Sequence, residues 1–257
     1  MIRADKLRER ARMHGVPEST VERDYAQNWL LWALSDIEMA FKGGTCIRKL
    51  YIPDYRFSDD LDFTMIRYVD KEEISGLISE RVSLAGEKSG ISFSEDIRVE
   101  ENFNGFEISV YFRILWVGGS PLKIKLDITR HDREIVLMPF VRKRVVRNYE
   151  DVPDTEIMAY SLEEIFSEKI RSIFERTRPR DMYDIWSLKD SVDVEKVMGV
   201  LPEKLKYRDV NPDMERFLSR KDYFGMAWKN SLSHQIKDLP DFEDVFREIL
   251  PFIGELV

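Results

Sequence analysis

The spacing of apolar residues changes along the chain, and it predicts strands in the first part and helices in the second. Residues 122–128 read LKIKLDI, in which every second side chain is apolar, as in a strand with one buried face. Further strands are predicted around Asp60 and near 91–99, 106–116 and 134–139, with a hairpin turn at 118–120. Helices are predicted at 5–14, after the expected capping residues Ser19 and Thr20, and at 71–87.

A polar stretch at 148–155, NYEDVPDT, separates this part from a helical remainder. Helices are predicted there near 161–176, 179–188 and 194–201. The pattern therefore indicates an α/β (α+β) domain at 1–152, a mixed sheet with flanking helices, followed by a C-terminal helical domain at 153–257. With 257 residues and 43% hydrophobic content, the chain can bury a core of that size.

The stretch from Phe41 to Phe63 carries the strongest chemical signal, FKGGTCIRKLYIPDYRFSDDLDF. Successive side chains of a strand point to opposite faces, so Asp60 and Asp62 are expected to project together while Leu61 and Phe63 face the core. Two carboxylates about 6–7 Å apart on one face can hold one or two divalent ions. The strand is therefore a candidate metal site.

A glycine pair precedes that strand. Gly43, Gly44 and Thr45 open a short predicted helix at 46–51. Glycine lets backbone N–H groups approach a ligand closely, and a helix N-terminus favours phosphate. Gly43, Gly44 and Thr45 would thus form a phosphate cradle. This cradle and the metal site at Asp60 and Asp62 would then act on one nucleotide.

These residues resemble a known family. Gly43-Gly44-Thr45, the fourteen residues 46–59 with Arg56 and Ser58 near their end, and then Asp60-Leu61-Asp62 resemble the first motif of the AbiEii-type nucleotidyltransferases. Those enzymes are distant relatives of the DNA polymerase β superfamily, and many are toxins of toxin–antitoxin or phage-defence pairs. The resemblance implies a nucleotidyltransferase fold that uses an NTP with Mg²⁺ or Mn²⁺. It also implies that Gly43, Gly44, Thr45, Arg56 and Ser58 lie at the nucleotide.

A third carboxylate is expected from the strand at 122–128. Its polar face carries Lys123, Lys125 and Asp127, so Asp127 is the candidate that completes the acid triad. The KLDI run also matches the second motif of the family. A half-exposed strand with solvated charges is the alternative for this segment alone.

Two later segments complete the candidate site. Ser161 and Glu164 form a capping-box signature, and Lys169 and Arg176 point into the apolar arc of the helix that follows. Cations directed that way need an anionic partner, such as a triphosphate or the acids of the metal site. The runs EKI and RDMYDIW resemble later motifs of the family, in which a lysine and a following aspartate are required. Carried over, these are Lys169 and Asp184; structural ion pairs between two helices are the alternative.

Composition limits the choice of partners. The net charge of −8 does not predict general affinity for nucleic acid, so an RNA partner would need a local basic surface, for which Arg142–Arg144 with Arg147 is the candidate. The single Cys46 excludes an intrachain disulfide. A charged N-terminus and the lack of a long apolar run predict a cytoplasmic protein without a membrane partner.

The sequence thus predicts Mg²⁺-dependent transfer of a nucleoside monophosphate from an NTP to an acceptor hydroxyl, with the second domain closing the site. The family resemblance favours RNA such as tRNA as acceptor, and a cognate antitoxin as partner. Two alternatives stay open: a metal-dependent phosphodiesterase or nuclease, and a non-catalytic nucleotide-binding protein of the same fold.

Overall fold

The computed structural model describes residues 1–115 and 118–257, which form two compact units. The first comprises Met1–Glu134 and Phe140–Tyr160, and the second comprises Ile135–Pro139 and Ser161–Val257. Trp116, the predicted end of one strand, lies outside the described residues. The predicted division into domains 1–152 and 153–257 stays a prediction.

The first unit is built on one mixed sheet of eight strands in the order β3-β5-β6-β2-β1-β8-β7, with β4 also pairing with β5. Pairs β2–β6 and β1–β8 are parallel, and the remaining pairs are antiparallel. This mixed sheet with helices confirms the predicted α/β class. The strands are β1 (Met39–Lys42), β2 (Asp60–Met65), β3 (Ser92–Phe93), β4 (Arg98–Glu101), β5 (Gly105–Arg113), β6 (Leu122–Thr129), β7 (Val141–Arg144) and β8 (Glu156–Ala159).

The helices of this unit are α1 (Ala4–His14), α2 (Glu18–Leu34), α3 (Gly43–Cys46) and α4 (Lys71–Ser89), and a π-helical turn, Ile47–Tyr51, continues α3 directly. Helix α2 begins at Glu18, so the prediction that Ser19 and Thr20 cap it is wrong: both lie inside its first turn. Helix α4 has a regular start, because the Asp70 carboxylate accepts a hydrogen bond from the Glu73 N–H.

The two-residue period of the central strands matches their burial. In β2, Leu61 and Phe63 are completely buried, while Asp60 and Asp62 on the opposite face are partly exposed. In β6, the apolar residues from Ile124 to Ile128 are at most 1% exposed, and Asp127 between them is half-buried. The predicted division of both strands into an apolar and a charged face is therefore confirmed.

The strand predicted at 134–139 is wrong. The Glu164 carboxylate accepts hydrogen bonds from the N–H groups of Leu137 and Met138 at 3.2 and 3.1 Å. Lys204 Nζ donates to the carbonyl of Ile135 at 3.0 Å. Side chains thus satisfy backbone groups that a neighbouring strand would otherwise bind, and regular pairing begins only at Val141.

The predicted strand 91–99 divides into two. Ser92 of β3 pairs with Arg113 near one end of β5, whereas Val99 of β4 pairs with Ile108 near its middle. Strands β1 and β8 had not been predicted, because each has only four residues and no visible period. The turn predicted at 118–120 falls in the connection between β5 and β6, part of which lies outside the described residues.

The second unit is helical, as predicted, and aromatic side chains fill its core. The fully buried Phe217 ring lies 5.8 Å from Phe174, 5.9 Å from Phe224 and 5.7 Å from Phe246, between ring centroids. Its helices are α5 (Leu162–Glu175), α6 (Pro179–Leu188), α7 (Val194–Tyr207), α8 (Met214–Ser219), α9 (Lys221–Leu232) and α10 (Phe242–Leu256). None of the helices in the described part of the chain has the length and apolarity needed to cross a membrane.

Candidate active site

Three predicted acids share one face of the first unit's sheet. Strands β2 and β6 are parallel neighbours whose register pairs Asp62 with Asp127, and Asp60 with Lys125. Neighbouring strands lie about 4.8 Å apart, and paired residues leave the sheet on the same side. The register therefore brings Asp60, Asp62 and Asp127 together, as the sequence predicted.

A lysine lies among these acids. Lys125 Nζ is 2.9 Å from Asp127 Oδ2 and 3.2 Å from Glu107 Oε2. Burial lowers the pKa of Lys125, but hydrogen bonds and charge from Asp127 and Glu107 outweigh it and raise that pKa above its ordinary value. Glu107 pairs with Asp127 across β5 and β6, and sequence reasoning missed it. The alternation within 105–113 places Glu107 on the polar face of a strand, but only the register of β5 and β6 places it beside Asp127.

A further charged side chain, that of Lys42, lies on the other side of β2. Lys42, the last residue of β1, pairs with Asp62 in the antiparallel register and is only 9% exposed. Its Nζ lies 5.4 Å from the centre of the Tyr160 ring, and the Tyr160 hydroxyl is 2.7 Å from Thr64 Oγ1. Lys42, Asp62, Asp127 and Glu107 thus form one charged row across four strands. No pattern in the sequence singles out Lys42.

The donor set suits a hard cation, since Mg²⁺ and Mn²⁺ prefer carboxylate oxygens. Within residues 1–115 and 118–257, however, no three His, Cys, Asp or Glu side chains are grouped closely enough to hold an ion. The difference lies in the side chains: the backbone register is suitable, but the carboxylate of Asp127 is held by Lys125. The chemistry of the acids fits the predicted ion, and the present side-chain positions are not yet a closed coordination shell.

The glycine pair packs directly against the first-motif residues. Gly43 has φ +76°, and a Cβ there would lie 2.2 Å from Asp62 Oδ2. A Cβ at Gly44 would lie 2.8 Å from Arg56 Nη2 and 3.2 Å from Ser58 Oγ. Only glycine fits at the first position without displacing the carboxylate. The structure therefore brings the predicted cradle, Asp62, Arg56 and Ser58 into one place.

Thr45 has a structural contact of its own. Its side chain is completely buried, and its hydroxyl donates a hydrogen bond to the carbonyl oxygen of Asp60. This bond fixes the start of β2 against α3. Phosphate binding through the backbone N–H of Thr45 stays a prediction.

A buried ionic network anchors the helical turn that follows the cradle. Asp24 of α2 lies 2.9 Å from Arg48 Nε and 2.7 Å from Lys49 Nζ, and it accepts a hydrogen bond from the Tyr149 hydroxyl at 2.8 Å. Burial alone would raise the pKa of Asp24, but the adjacent Lys49 and Arg48 charges hold it well below its ordinary value. Nearby, the Gln27 amide donates to the carbonyls of Ser58 and Asp59. None of these supports had been predicted.

The second unit holds the remaining predicted residues in a separate ionic cluster. Lys169 Nζ of α5 lies 2.7 Å from Asp181 Oδ1 and 2.8 Å from Asp184 Oδ2 of α6. Arg176 Nε lies 3.0 Å from the other oxygen of Asp181. Burial favours a raised pKa for Asp181, but the Lys169 and Arg176 charges hold it well below the ordinary value. The anionic partner expected for Lys169 is thus present within its own unit, and its role in nucleotide chemistry stays a prediction.

A mixed sheet with a row of acids beside a glycine pair is the arrangement of a nucleotidyltransferase. The chain belongs to the AbiEii family: the family model described as nucleotidyl transferase AbiEii toxin, type IV TA system, matches residues 28–249. The predicted family is therefore confirmed. Among curated proteins, no match was found.

Solved structures show the same fold. JHP933 from Helicobacter pylori superposes with a TM-score of 0.64 at 18% identity, over 94% of this chain and 93% of that one. MenT4, a nucleotidyltransferase toxin from Mycobacterium tuberculosis, gives a TM-score of 0.65 at 16% identity, over 100% of this chain and 91% of that one. The predicted nucleotidyltransferase-type fold is confirmed over almost the whole length.

Proposed function

We propose that this chain transfers a nucleoside monophosphate from an NTP to a hydroxyl group of RNA, with the help of Mg²⁺ or Mn²⁺. The register of β2 and β6 carries the proposal, because it places Asp60, Asp62 and Asp127 on one face. Membership of the AbiEii family supports the same class of reaction.

In the proposed reaction, the acceptor oxygen attacks the α-phosphorus while the bond to pyrophosphate breaks. Asp60 and Asp62 would hold the ion, which when bound supplies a Lewis acid for the phosphate oxygens. Asp127 would share that ion, orient the acceptor hydroxyl and hold the proton that it loses. The three acids thus position both the nucleotide and its attacker.

The remaining motif residues would neutralise the charge of the triphosphate. The backbone N–H groups at Gly43, Gly44 and Thr45, with the Arg56 guanidinium and the Ser58 hydroxyl, are proposed as phosphate donors. From the second unit, Lys169 is proposed to neutralise the β- and γ-phosphate oxygens. Asp184, 2.8 Å from Lys169, would orient that lysine.

Support for an RNA acceptor comes from β7. Arg142 and Arg144 are exposed on this strand, which lies at one edge of the described sheet. Lys143 instead lies 4.3 Å from the centre of the Tyr51 ring, and Arg147 donates to the carbonyl of Glu150. On a chain of net charge −8, this pair of arginines is a local site where phosphates can bind. The family name further suggests a cognate antitoxin, with action in the cytoplasm, where NTP and RNA are available.

The test uses each NTP labelled at the α- or the γ-phosphate, incubated with the protein, Mg²⁺ and total RNA. Label from the α position should enter RNA, and label from the γ position should leave as pyrophosphate. Asp127→Asn should abolish the transfer, whereas Asp132→Asn, an equal change in the exposed turn after β6, should not. RNA cleavage without label would indicate a nuclease, and nucleotide binding without turnover would indicate a non-catalytic protein.

A further inference from the structure

The proposed reaction leaves Lys125 without a role. It precedes Asp127 by two residues on β6, so both side chains leave the same face of the sheet. Lys125 is 25% exposed, and its Nζ lies between carboxylate oxygens of Asp127 and Glu107, at 2.9 and 3.2 Å. A surface lysine would extend into solvent, whereas this one lies among the acids.

This position conflicts with the binding of an ion. The Asp127 oxygen that forms the ion pair with the Lys125 ammonium is also the kind of hard ligand atom that a divalent cation requires. The lysine also repels a divalent cation, since two cations within one cluster of acids raise the free energy of the bound state. An ion that binds Asp127 must therefore either displace Lys125 or bind more weakly because of this repulsion.

We propose that Lys125, held by Glu107, is a positioning residue that competes with the divalent ion for the Asp127 carboxylate. The inference rests on the proposed role of Asp127 as a ligand. It accounts for two observations together: the suitable register of the acids, and the lack of a grouped set of ligands in the described residues. Glu107 enters because its pairing with Asp127 across β5 and β6 provides the second anchor for the lysine.

The two ends of this ion pair should act on ion binding in opposite directions. Without Lys125, Asp127 becomes available and the repulsion is lost, so the ion should bind more tightly. Without the Glu107 charge, the lysine retains Asp127 as its acceptor and one attractive charge is missing, so the ion should bind more weakly. An ion pair that does not act on the ion at Asp127 would change stability and leave both Kd values near that of the wild type.

The experiment measures Mn²⁺ binding to the full chain without nucleotide, from the electron paramagnetic resonance signal of free Mn²⁺ at low salt. For Lys125→Met, the Kd should fall at least about tenfold, because one cation about 6 Å from a divalent ion has that effect even at the dielectric of bulk water. For Glu107→Gln, it should rise severalfold. Lys123→Met is the matched control: the same charge is deleted on the same face of β6, at an exposed residue two positions further from Asp127, and the Kd should not change.

The inference fails if Lys125→Met binds Mn²⁺ no more tightly than Lys123→Met, whether the Kd is equal, higher or beyond measurement. Circular dichroism melting checks that each variant is folded, and Lys125→Gln deletes the same charge if the methionine variant melts early. The result is separable from the proposed function. Label transfer without tightening would refute only the role of Lys125, and tightening without label transfer would refute only the reaction.

Discussion

At the scale of single residues, the tightest constraint on the candidate site is the absence of a side chain at Gly43. Its positive φ and its distance from Asp62 are independent reasons for glycine, since one concerns the backbone and the other the space beside it. The position of the Asp62 carboxylate therefore depends on a residue that has no functional group.

Gly43→Ala should reduce nucleotidyl transfer about a hundredfold or more, the size expected when a catalytic group is displaced by about 1 Å. The cause is that the new Cβ would lie 2.2 Å from Asp62 Oδ2, so the carboxylate must move. Gly76→Ala in α4 is the control, because nothing lies within 4 Å of its Cβ position. It should stabilise the protein by about 0.4–1 kcal/mol without affecting transfer. Single-turnover rates and urea denaturation measure the two effects, and normal transfer by Gly43→Ala would contradict the placement of Asp62.

Lys169 offers a second test on single residues, since its contacts allow both a structural and a catalytic role. Lys169→Met leaves the buried carboxylate of Asp184 without this cation, so the free energy of unfolding should fall by about 3–5 kcal/mol. Adding Asp184→Asn neutralises one of the two carboxylates that lose the Lys169 cation and should restore part of that loss. If Lys169 serves the nucleotide, transfer per folded molecule stays abolished in the double variant. Its recovery would show that the ion pair is only structural.

At the scale of elements, the sequence specified strands by their period and failed where other groups replaced the strand pairing. Strands β2 and β6 could be predicted because apolar and polar residues alternate along each of them. The segment 134–139 could not, because its N–H groups bind Glu164, which lies beyond both β7 and β8 in the chain and has no local signature. The sequence likewise located Asp60, Asp62 and Asp127 by pattern. It missed Lys42 and Glu107, because only strand order and register place them beside those acids.

The edge strand β7 gives a test of the acceptor. Arg142→Glu with Arg144→Glu should weaken RNA modification and flatten its dependence on salt, because fewer counterions are released from RNA on binding. Nucleotide binding should stay unchanged. Arg98→Glu in β4, another exposed arginine of the sheet, is the control. Unaltered RNA modification across a salt series would exclude this surface, and a protein or small-molecule acceptor would then be the better hypothesis.

At the scale of the whole molecule, the stability of the first unit should depend on a charge far from its surface. The pKa of Asp24 is 3.8 when unperturbed and is lowered in the folded protein, so its contribution to stability is present above about pH 4 and is lost as the pH falls further. Asp24→Asn should cost about 3–5 kcal/mol at pH 7, because Arg48 and Lys49 stay buried beside a neutral group.

The same variant should lose less relative to the wild type as the pH falls below about 4, because the Asp24 carboxyl of the unfolded wild type then takes up a proton while the folded protein still holds it charged. Urea denaturation between pH 3 and 7 measures both parts. Asp36→Asn, which removes an exposed ion pair with Arg81, should change stability by less than about 1 kcal/mol throughout. A constant difference between wild type and Asp24→Asn across this range would contradict the assigned charge state.

The short segment Ile135–Pro139 affects how the chain can be assembled. It belongs to the second unit, although residues on both sides of it belong to the first. During synthesis from the N-terminus, this segment leaves the ribosome before Glu164 and Lys204, the side chains that bind its backbone, have emerged. If β7 and β8 pair before those side chains emerge, the backbone groups of Ile135–Pro139 lack these hydrogen bonds at that stage. For the same reason, one cut in the gene cannot separate the two units, and any fragment ending near residue 160 carries a piece of its neighbour.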